Sequence, residues 1–332
     1  VEIAVIVPSH QRRDLLIRVL AALAAQSIQA ARFAVVVVCD GCTDGSAAAA
    51  RTAAGAGGPA AGIRLTVLEQ PNSGAATARN RGVAATDAPL LLFLDDDMIA
   101  APDLVEAHLE RHARQPGGIV LGAMPVHPDS PRSYLTVGLT RWSDRRHACL
   151  SDPGGQIPAD EVLTGQMSLA RETFERLGGF DVRYTAGGTF GGEDVELGWR
   201  ARRLGIALLY EPRAVSHQVY AKSFRALCRN IRHAGAADML MAADHPAIRP
   251  HLLLGQGSHL PPFQRLALGI TLRAPALARL GAAPVLALLE LADRRGWSAV
   301  VWERLHAVAR AHLYGLGMLD AGRSGAASSR TA

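Results

Sequence analysis

The apolar run Leu90-Leu91-Leu92-Phe93-Leu94 passes without a break into Asp95-Asp96-Asp97, and that junction constrains the fold more than any other feature of the chain. Five consecutive apolar residues read as a strand covered on both faces, as strands of a parallel sheet are. Three adjacent carboxylates repel one another, so they sit most readily where a divalent cation, a ribose or a set of backbone donors meets them. A bound polyphosphate explains them economically. A solvent-exposed acidic turn is the alternative.

The same grammar recurs upstream. An apolar run over 3–7 is stopped by Pro8, and Leu15, Leu16, Val19, Leu20 and Leu23 repeat at helical spacing over 14–25. A second strand-like run over 33–38 ends at Asp40-Gly41. The patterns then predict a helix over 46–54, a strand over 63–68 and a helix over 74–84. Strands alternating with helices imply a parallel sheet with ligands beyond the carboxyl ends of its strands. Asp40 and the Asp95-Asp96-Asp97 cluster both fall at such ends.

Beyond the acids, a helix is expected over 103–113 behind Pro102, and a strand over 119–126. Residues 128–158 are rich in Arg, Pro, Ser and Asp without clear periodicity and read as an irregular excursion. Helices over 171–177 and 193–204 and a short strand over 206–210 follow. From Ser223 onward helical patterns dominate, broken by prolines, and the small, polar residues after Gly322 read as a fraying tail.

The formal charge of +5 is almost entirely arginine, since Lys222 is the only lysine. That balance suits phosphate-bearing ligands or an anionic membrane surface. Aromatic residues interleaved with the basic ones are lacking, so nucleic-acid binding is not expected. The stretches 266–280 and 280–291 are interrupted by Arg273, Arg279 and Glu290 and are not read as membrane-spanning. No basic-then-apolar leader precedes the first strand, so a cytoplasmic location is the expectation. Cys39 and Cys42 have metal-ligand spacing but lack a second pair or a neighbouring histidine cluster.

Four places can carry chemistry. Asp40 can accept from a nucleobase N–H or belong to an ordinary turn. Asn72-Ser73-Gly74 reads as a helix start, and Arg79 one turn on can approach a diphosphate, buttress the acids or face solvent. Glu193 and Asp194 open a helix whose dipole would keep them ionised, which suits a general base; a plain acidic N-cap is the alternative. His217 follows the last strand-like segment and can donate a ring nitrogen to a metal, although a lone histidine is more often a surface or hydrogen-bonded residue.

Taken together the segments resemble an inverting nucleotide-sugar glycosyltransferase of family 2. The resemblance runs over Val7-Pro8-Ser9-His10, Cys39-Asp40-Gly41-Cys42-Thr43-Asp44, residues 72–80, Phe93-Leu94-Asp95-Asp96-Asp97 and Gly165-Gln166-Met167-Ser168-Leu169-Ala170-Arg171. Gly178-Gly179-Phe180-Asp181 and Gly191-Gly192-Glu193-Asp194-Val195-Glu196 close the series in the family's order.

The resemblance implies a GT-A fold: a Rossmann-like, mostly parallel mixed sheet flanked by helices, with a helical C-terminal region. A glycosyltransferase domain would occupy 1–222, with a nucleotide-sugar part to about 125 and a catalytic and acceptor part over about 126–222. A helical region would follow over 223–320, and a flexible tail over 321–332. Pro8, Ser9, His10, Asp40, Asn72 and Arg79 would receive the nucleotide together with Asp95 and Asp96. Asp97, Asp95 and His217 would hold Mn²⁺ or Mg²⁺, with Asp97 foremost. Asp194 would be the catalytic base and Glu193 would orient the sugar or acceptor.

The implied partners are a nucleoside diphosphate sugar, with UDP favoured, and a hydroxyl on a saccharide, a lipid-linked intermediate or a natural-product aglycone. Gly198-Trp199-Arg200 does not reproduce the Gln-x-x-Arg-Trp motif of processive synthases, which favours transfer of a single sugar. A loop over 185–192 is placed to close over the donor. A catalytically silent nucleotide-binding or scaffold protein on the same fold is the alternative. An oxidoreductase would need a GxGxxG turn that Pro8-Ser9-His10-Gln11-Arg12 lacks. An amphipathic stretch over 262–291 admits peripheral contact with the inner face of the membrane through Arg265, Arg273 and Arg279. Packing on the transferase domain, or on another copy as a homo-oligomer, is the preferred alternative for that stretch.

Overall fold

The computed structural model describes residues 1–152, 156–186, 191–252, 260–295 and 299–328. Four strands come first: β1 (Ile3–Ser9), β2 (Phe33–Asp40), β3 (Leu65–Gln70) and β4 (Leu90–Leu94). They pair in parallel, joined by helices α1 (Arg13–Ala24), α2 (Ser46–Ala54) and α3 (Ala75–Ala84). Next come β5 (Met98–Ala100), α4 (Leu104–Arg114), β6 (Ile119–Ala123), α5 (Tyr134–Ser151) and β7 (Gln166–Ala170). Helices α6 (Arg171–Leu177) and α7 (Glu193–Arg203) lead to β8 (Leu208–Gln218). The eight strands form one sheet in the order β3-β2-β1-β4-β7-β6-β8-β5. β7 runs antiparallel to β4 and β6, and β5 antiparallel to β8.

Every residue of β1 is buried, because the strand lies inside the sheet with a core on each face. Ile3, Val5 and Val7 pack with Leu16, Leu20 and Leu23 of α1, and the alternate Ile6 joins Phe93, Met167 and Leu169 on the other side. Phe93 anchors that second face, with its ring 5.6 Å from Phe174 and 5.0 Å, edge-on, from Phe180. Gly178, left-handed at φ 81°, stops α6 so that the chain turns back and delivers Phe180 to this cluster.

The excursion expected over 128–158 contains α5, an 18-residue helix. Its inward face is mostly polar, with Thr136, Ser143 and Arg146 buried beside Leu150, so hydrophobic periodicity does not reveal it. These polar groups are satisfied locally. Ser143 Oγ donates to the Met124 carbonyl at 2.9 Å, and Arg146 reaches the Gly122 carbonyl and the Glu161 carboxylate. β5 is too short to read as a pattern, and β8 runs well past the expected end at 210.

The chain divides into two compact units. The first holds the sheet and comprises Val1–Pro131, Thr136–Thr189 and Glu193–Tyr220. The second comprises Arg132–Leu135, Phe190–Gly192 and Ala221–Ala332, and contains α8 (Phe224–Asp244), α9 (Pro262–Arg273), α10 (Pro275–Arg294) and α11 (Ala299–Ser328). Its core gathers Leu289, Ala292, Trp302 and Ala309, with Tyr134 stacked 5.2 Å from Trp302. Gly235 of α8 and Gly317 of α11 lie where a Cβ would run into the facing helix backbone, so the two helices approach closely. α11 continues through Ser328, past the expected start of the tail, because small residues can extend an established helix one hydrogen bond at a time. Within the loop expected over 185–192, residues 187–190 lie outside the described residues.

Phe93 is fully buried, and Phe93→Ala should destabilise the protein by about 3–5 kcal/mol in denaturant unfolding. A loss below about 1 kcal/mol would show that the aromatic cluster can collapse around the gap.

Candidate active site

The acids sit where β4 leaves the sheet. Asp95 follows its last residue, and the Met98 N–H donates to the Asp95 carbonyl at 3.1 Å, closing a tight turn into β5. That turn aims the three carboxylates differently. Asp96 is buried and accepts from Ser9 Oγ at 2.8 Å, from the His10 N–H at 3.4 Å and from Arg12 at 2.9 Å. Asp97, also buried, accepts from the same Arg12 nitrogen at 2.8 Å. Asp95 is partly exposed and accepts from Arg79 at 2.7 Å.

Arg79 is the hub of the site. Buried on α3, it donates to Asp95 with one terminal nitrogen and to Glu193, at 2.8 Å, with the other. It thereby joins the end of β4 to the start of α7. Five carboxylates, Asp95, Asp96, Asp97, Glu193 and Asp194, share this neighbourhood with Arg12 and Arg79. Burial opposes the charge on both arginines, but the surrounding carboxylates outweigh it and hold them protonated. Oε2 of Glu193 is buried with no hydrogen-bond partner.

Burial also raises the acids. Asp96 is pushed up to about 6 by burial, against the pull of Arg12 and with the push of Asp97. Asp194 is raised to about 7, first by desolvation of its carboxyl and then by the charge of Glu193. The helix dipole at the start of α7 was expected to keep Asp194 ionised. Here it is outweighed, because an exposed helix terminus contributes about 0.3–1 kcal/mol, less than a crowded, desolvated carboxyl pair.

The other expected residues are distributed around this cluster. Pro8 and Ser9 close β1, and His10, exposed beside them, places Nδ1 2.5 Å from the Asp40 carbonyl. Asp40 is buried, and its carboxylate accepts from the N–H groups of Ser73 and Gly74 and from Gln70 Nε2, each at 2.8 Å. It therefore organises the turn that starts α3. Asn72 is exposed and lies against Gly41, where an added Cβ would come within 2.7 Å of the Asn72 Cβ. Cys39 is buried, and burial pushes its thiol up to about 12, so it is a poor thiolate ligand.

His217, the expected third metal ligand, lies on β8. It registers with Ile99 across the β5–β8 pair, and its ring lies edge-on 6.1 Å from His127. Side chains alternate along a strand, so it is the next residue, Gln218, whose Nε2 reaches Asp97 at 3.5 Å. Among the described residues, no three His, Cys, Asp or Glu side chains converge as a preformed metal cage. Asp95 and Asp97 nevertheless present hard carboxylate oxygens in a neighbourhood of excess negative charge, which fits Mg²⁺ or Mn²⁺ completed by a ligand's phosphate oxygens.

Sequence reasoning missed Arg12 and Gln218. Arg12 precedes α1 at its N-cap, where the helix dipole disfavours a cation, and that mismatch was the available signal.

A parallel half-sheet joined to a mixed extension, with acids at a central strand's end, is the GT-A fold. Its neighbours among solved structures agree. Mannosyltransferase PcManGT from Pyrobaculum calidifontis, in complex with GDP-Man and Mn²⁺, superposes with a TM-score of 0.62 at 21% identity, over 95% of this chain and 86% of that one. S. aureus TarS 1–349 in complex with UDP-GlcNAc gives 0.55 at 13% identity, over 98% and 92%. The sequence matches Glycosyl transferase family 2 over residues 4–161 and the N-terminal domain of galactosyltransferase over 144–219. The family 2 match covers just under half of the chain. Validoxylamine A glucosyltransferase of Streptomyces hygroscopicus subsp. jinggangensis is 29% identical over 279 residues, 75% of this chain and 62% of that protein. Pre-mycofactocin glycosyltransferase of Mycobacterium tuberculosis is 29% identical over 205 residues, 58% of this chain and 40% of that protein. The matched region thus spans less than two thirds of either relative.

Removing Arg79 would strand two carboxylates, so Arg79→Ala should cost about 3–5 kcal/mol of stability. Adding Glu193→Gln should recover part of that loss, with a coupling energy of about 0.5–3 kcal/mol in a double-mutant cycle. Strict additivity would show that Arg79 and Glu193 are not energetically linked.

Proposed function

We propose that this chain is an inverting glycosyltransferase that moves one sugar from a nucleoside diphosphate donor to an acceptor hydroxyl. The observation that carries the reading is the Arg79 bridge, which draws Glu193 and the neighbouring Asp194 to the strand-end acids Asp95–Asp97 in a chain with a family 2 match. Without it the donor-type acids and the candidate base would be unrelated features of the sequence.

Asp194 is the proposed base. A carboxylate titrating at about 7 is partly deprotonated at neutral pH and is a stronger proton acceptor than an ordinary aspartate. As the acceptor oxygen bonds to the anomeric carbon, its proton passes to Asp194. The bond from that carbon to the diphosphate oxygen breaks on the opposite face, and its electron pair leaves with the nucleoside diphosphate. This single displacement inverts the anomeric centre. Glu193, held by Arg79, orients the sugar or acceptor.

Pro8, Ser9, His10, Asp40 and Asn72 frame the nucleotide end, and Arg79 and Asp96 support it. Asp95 and Asp97 would hold Mn²⁺ or Mg²⁺, which when bound neutralises charge on the diphosphate. The solved relatives carry GDP-Man and UDP-GlcNAc, so both bases belong in the test, with UDP first. The acceptor hydroxyl belongs to a natural-product aglycone, a saccharide or a lipid-linked intermediate, and the relative named for validoxylamine A makes that compound the first to try.

Calorimetric titration with UDP and GDP, with Mn²⁺ and with EDTA, should show metal-dependent binding of one nucleotide. Asp97→Asn should abolish the metal dependence. Asp194→Asn should keep nucleotide binding and lower kcat by about 10²–10⁴-fold. Because the deprotonated form of Asp194 is the active one, kcat/KM should fall about tenfold per pH unit below about pH 7 and level off above it. Turnover preserved in both variants would overturn the mechanism. Nucleotide binding with no transfer to any acceptor would instead mark a silent binding protein.

A further inference from the structure

We propose that the α9–α10 layer of the helical unit docks on an anionic lipid bilayer, lying along its interface. On α10, Leu277, Leu280, Leu288 and Leu291 are 65%, 76%, 39% and 41% exposed. Their spacings of three, eight and three residues place them within about a quarter of the helix circumference. On α9, Phe263, Leu266 and Ile270 repeat the arrangement at 43%, 65% and 50% exposed. The window Pro275–Ala292 has a mean hydropathy of 1.5 yet is only 18% buried. A helix this apolar in the core of a soluble unit would be mostly covered.

The opposite side of α10 is already used. Leu289 and Ala292 are buried with Trp302 and Ala309 of α11, and Arg279 pairs with Asp320 at 3.3 Å. A helix with one side committed to its own unit has only the other for lipid, which suits an interfacial helix and not a span.

Charge selects the occupant. α9 carries Arg265 and Arg273 and no acidic residue, and the exposed Arg294 and Arg295 close α10 beside its apolar stripe. Glu290 lies off that stripe and pairs with Arg225 at 3.7 Å. Apolar residues bordered by arginines match acyl chains bordered by lipid phosphates. In a two-fold contact a second copy presents this same arginine-bordered patch, so it brings no net negative charge to the arginines.

The test uses the full chain and needs neither donor nor acceptor, so its outcome is independent of the proposed transfer. In sedimentation with phosphatidylcholine vesicles, with and without phosphatidylglycerol, the partition coefficient should be at least about tenfold higher on the anionic vesicles and fall several-fold in high salt. Leu277→Glu/Leu280→Glu should reduce it by about tenfold or more, with the helical circular dichroism retained. Arg294→Gln/Arg295→Gln leaves the apolar stripe intact and should remove most of the salt-sensitive part, which decides the matter if the glutamate variant does not fold. No vesicle binding, or equal and salt-insensitive binding to neutral vesicles, overturns the proposal. So does a dimer seen by light scattering that Leu277→Glu/Leu280→Glu dissolves while vesicles are ignored.

Discussion

Like-charge repulsion among five carboxylates is the problem that this sheet edge has to solve, and Arg12 and Arg79 solve it. Neither arginine touches only one acid: Arg12 spans Asp96 and Asp97, and Arg79 spans Asp95 and Glu193. Each bridge crosses between segments distant in sequence, so the electrostatics and the tertiary fold are the same set of contacts. Replacing a buried pair like Arg79–Glu193 by apolar groups can be neutral or stabilising in other proteins, whereas leaving one member alone is costly. The arrangement is therefore better understood as specifying where the acids point than as a source of stability.

The same crowding sets the acid–base behaviour. Asp96 and Asp194 are both raised, yet their neighbours differ. Asp96 is enclosed by Ser9, His10 and Arg12, which suits a carboxylate that anchors the turn. Asp194 stands beside Glu193 with the Val195 N–H as donor and is raised to about 7, as the proposed base requires. Two groups of one residue type acquire different tasks from their surroundings.

The helical unit follows a different rule. Its interior is held by Trp302, its stacked partner Tyr134 and the close α8–α11 crossing, while α9 and α10 turn large apolar side chains outward. An arginine-bordered apolar surface of this kind is explained by what lies outside the unit and not by what lies within it.

Period and composition alone determined the order of the parallel half. Buried strands are continuous apolar runs and their crossovers have helical spacing, so both are local properties of the text. The acids at the ends of β2 and β4, and the Glu193-Asp194 pair, were equally legible, because carboxylates following apolar runs stand out. Only the tertiary structure could decide the rest. α5 was hidden because its buried face is polar, and β5 because three residues make no period. Whether His217 or Gln218 faces Asp97 depends on strand register, which a one-residue shift inverts. Whether Asp194 is held ionised or raised depends on how much water its neighbours leave around it, and that is fixed only when Arg79 draws α7 against the end of β4.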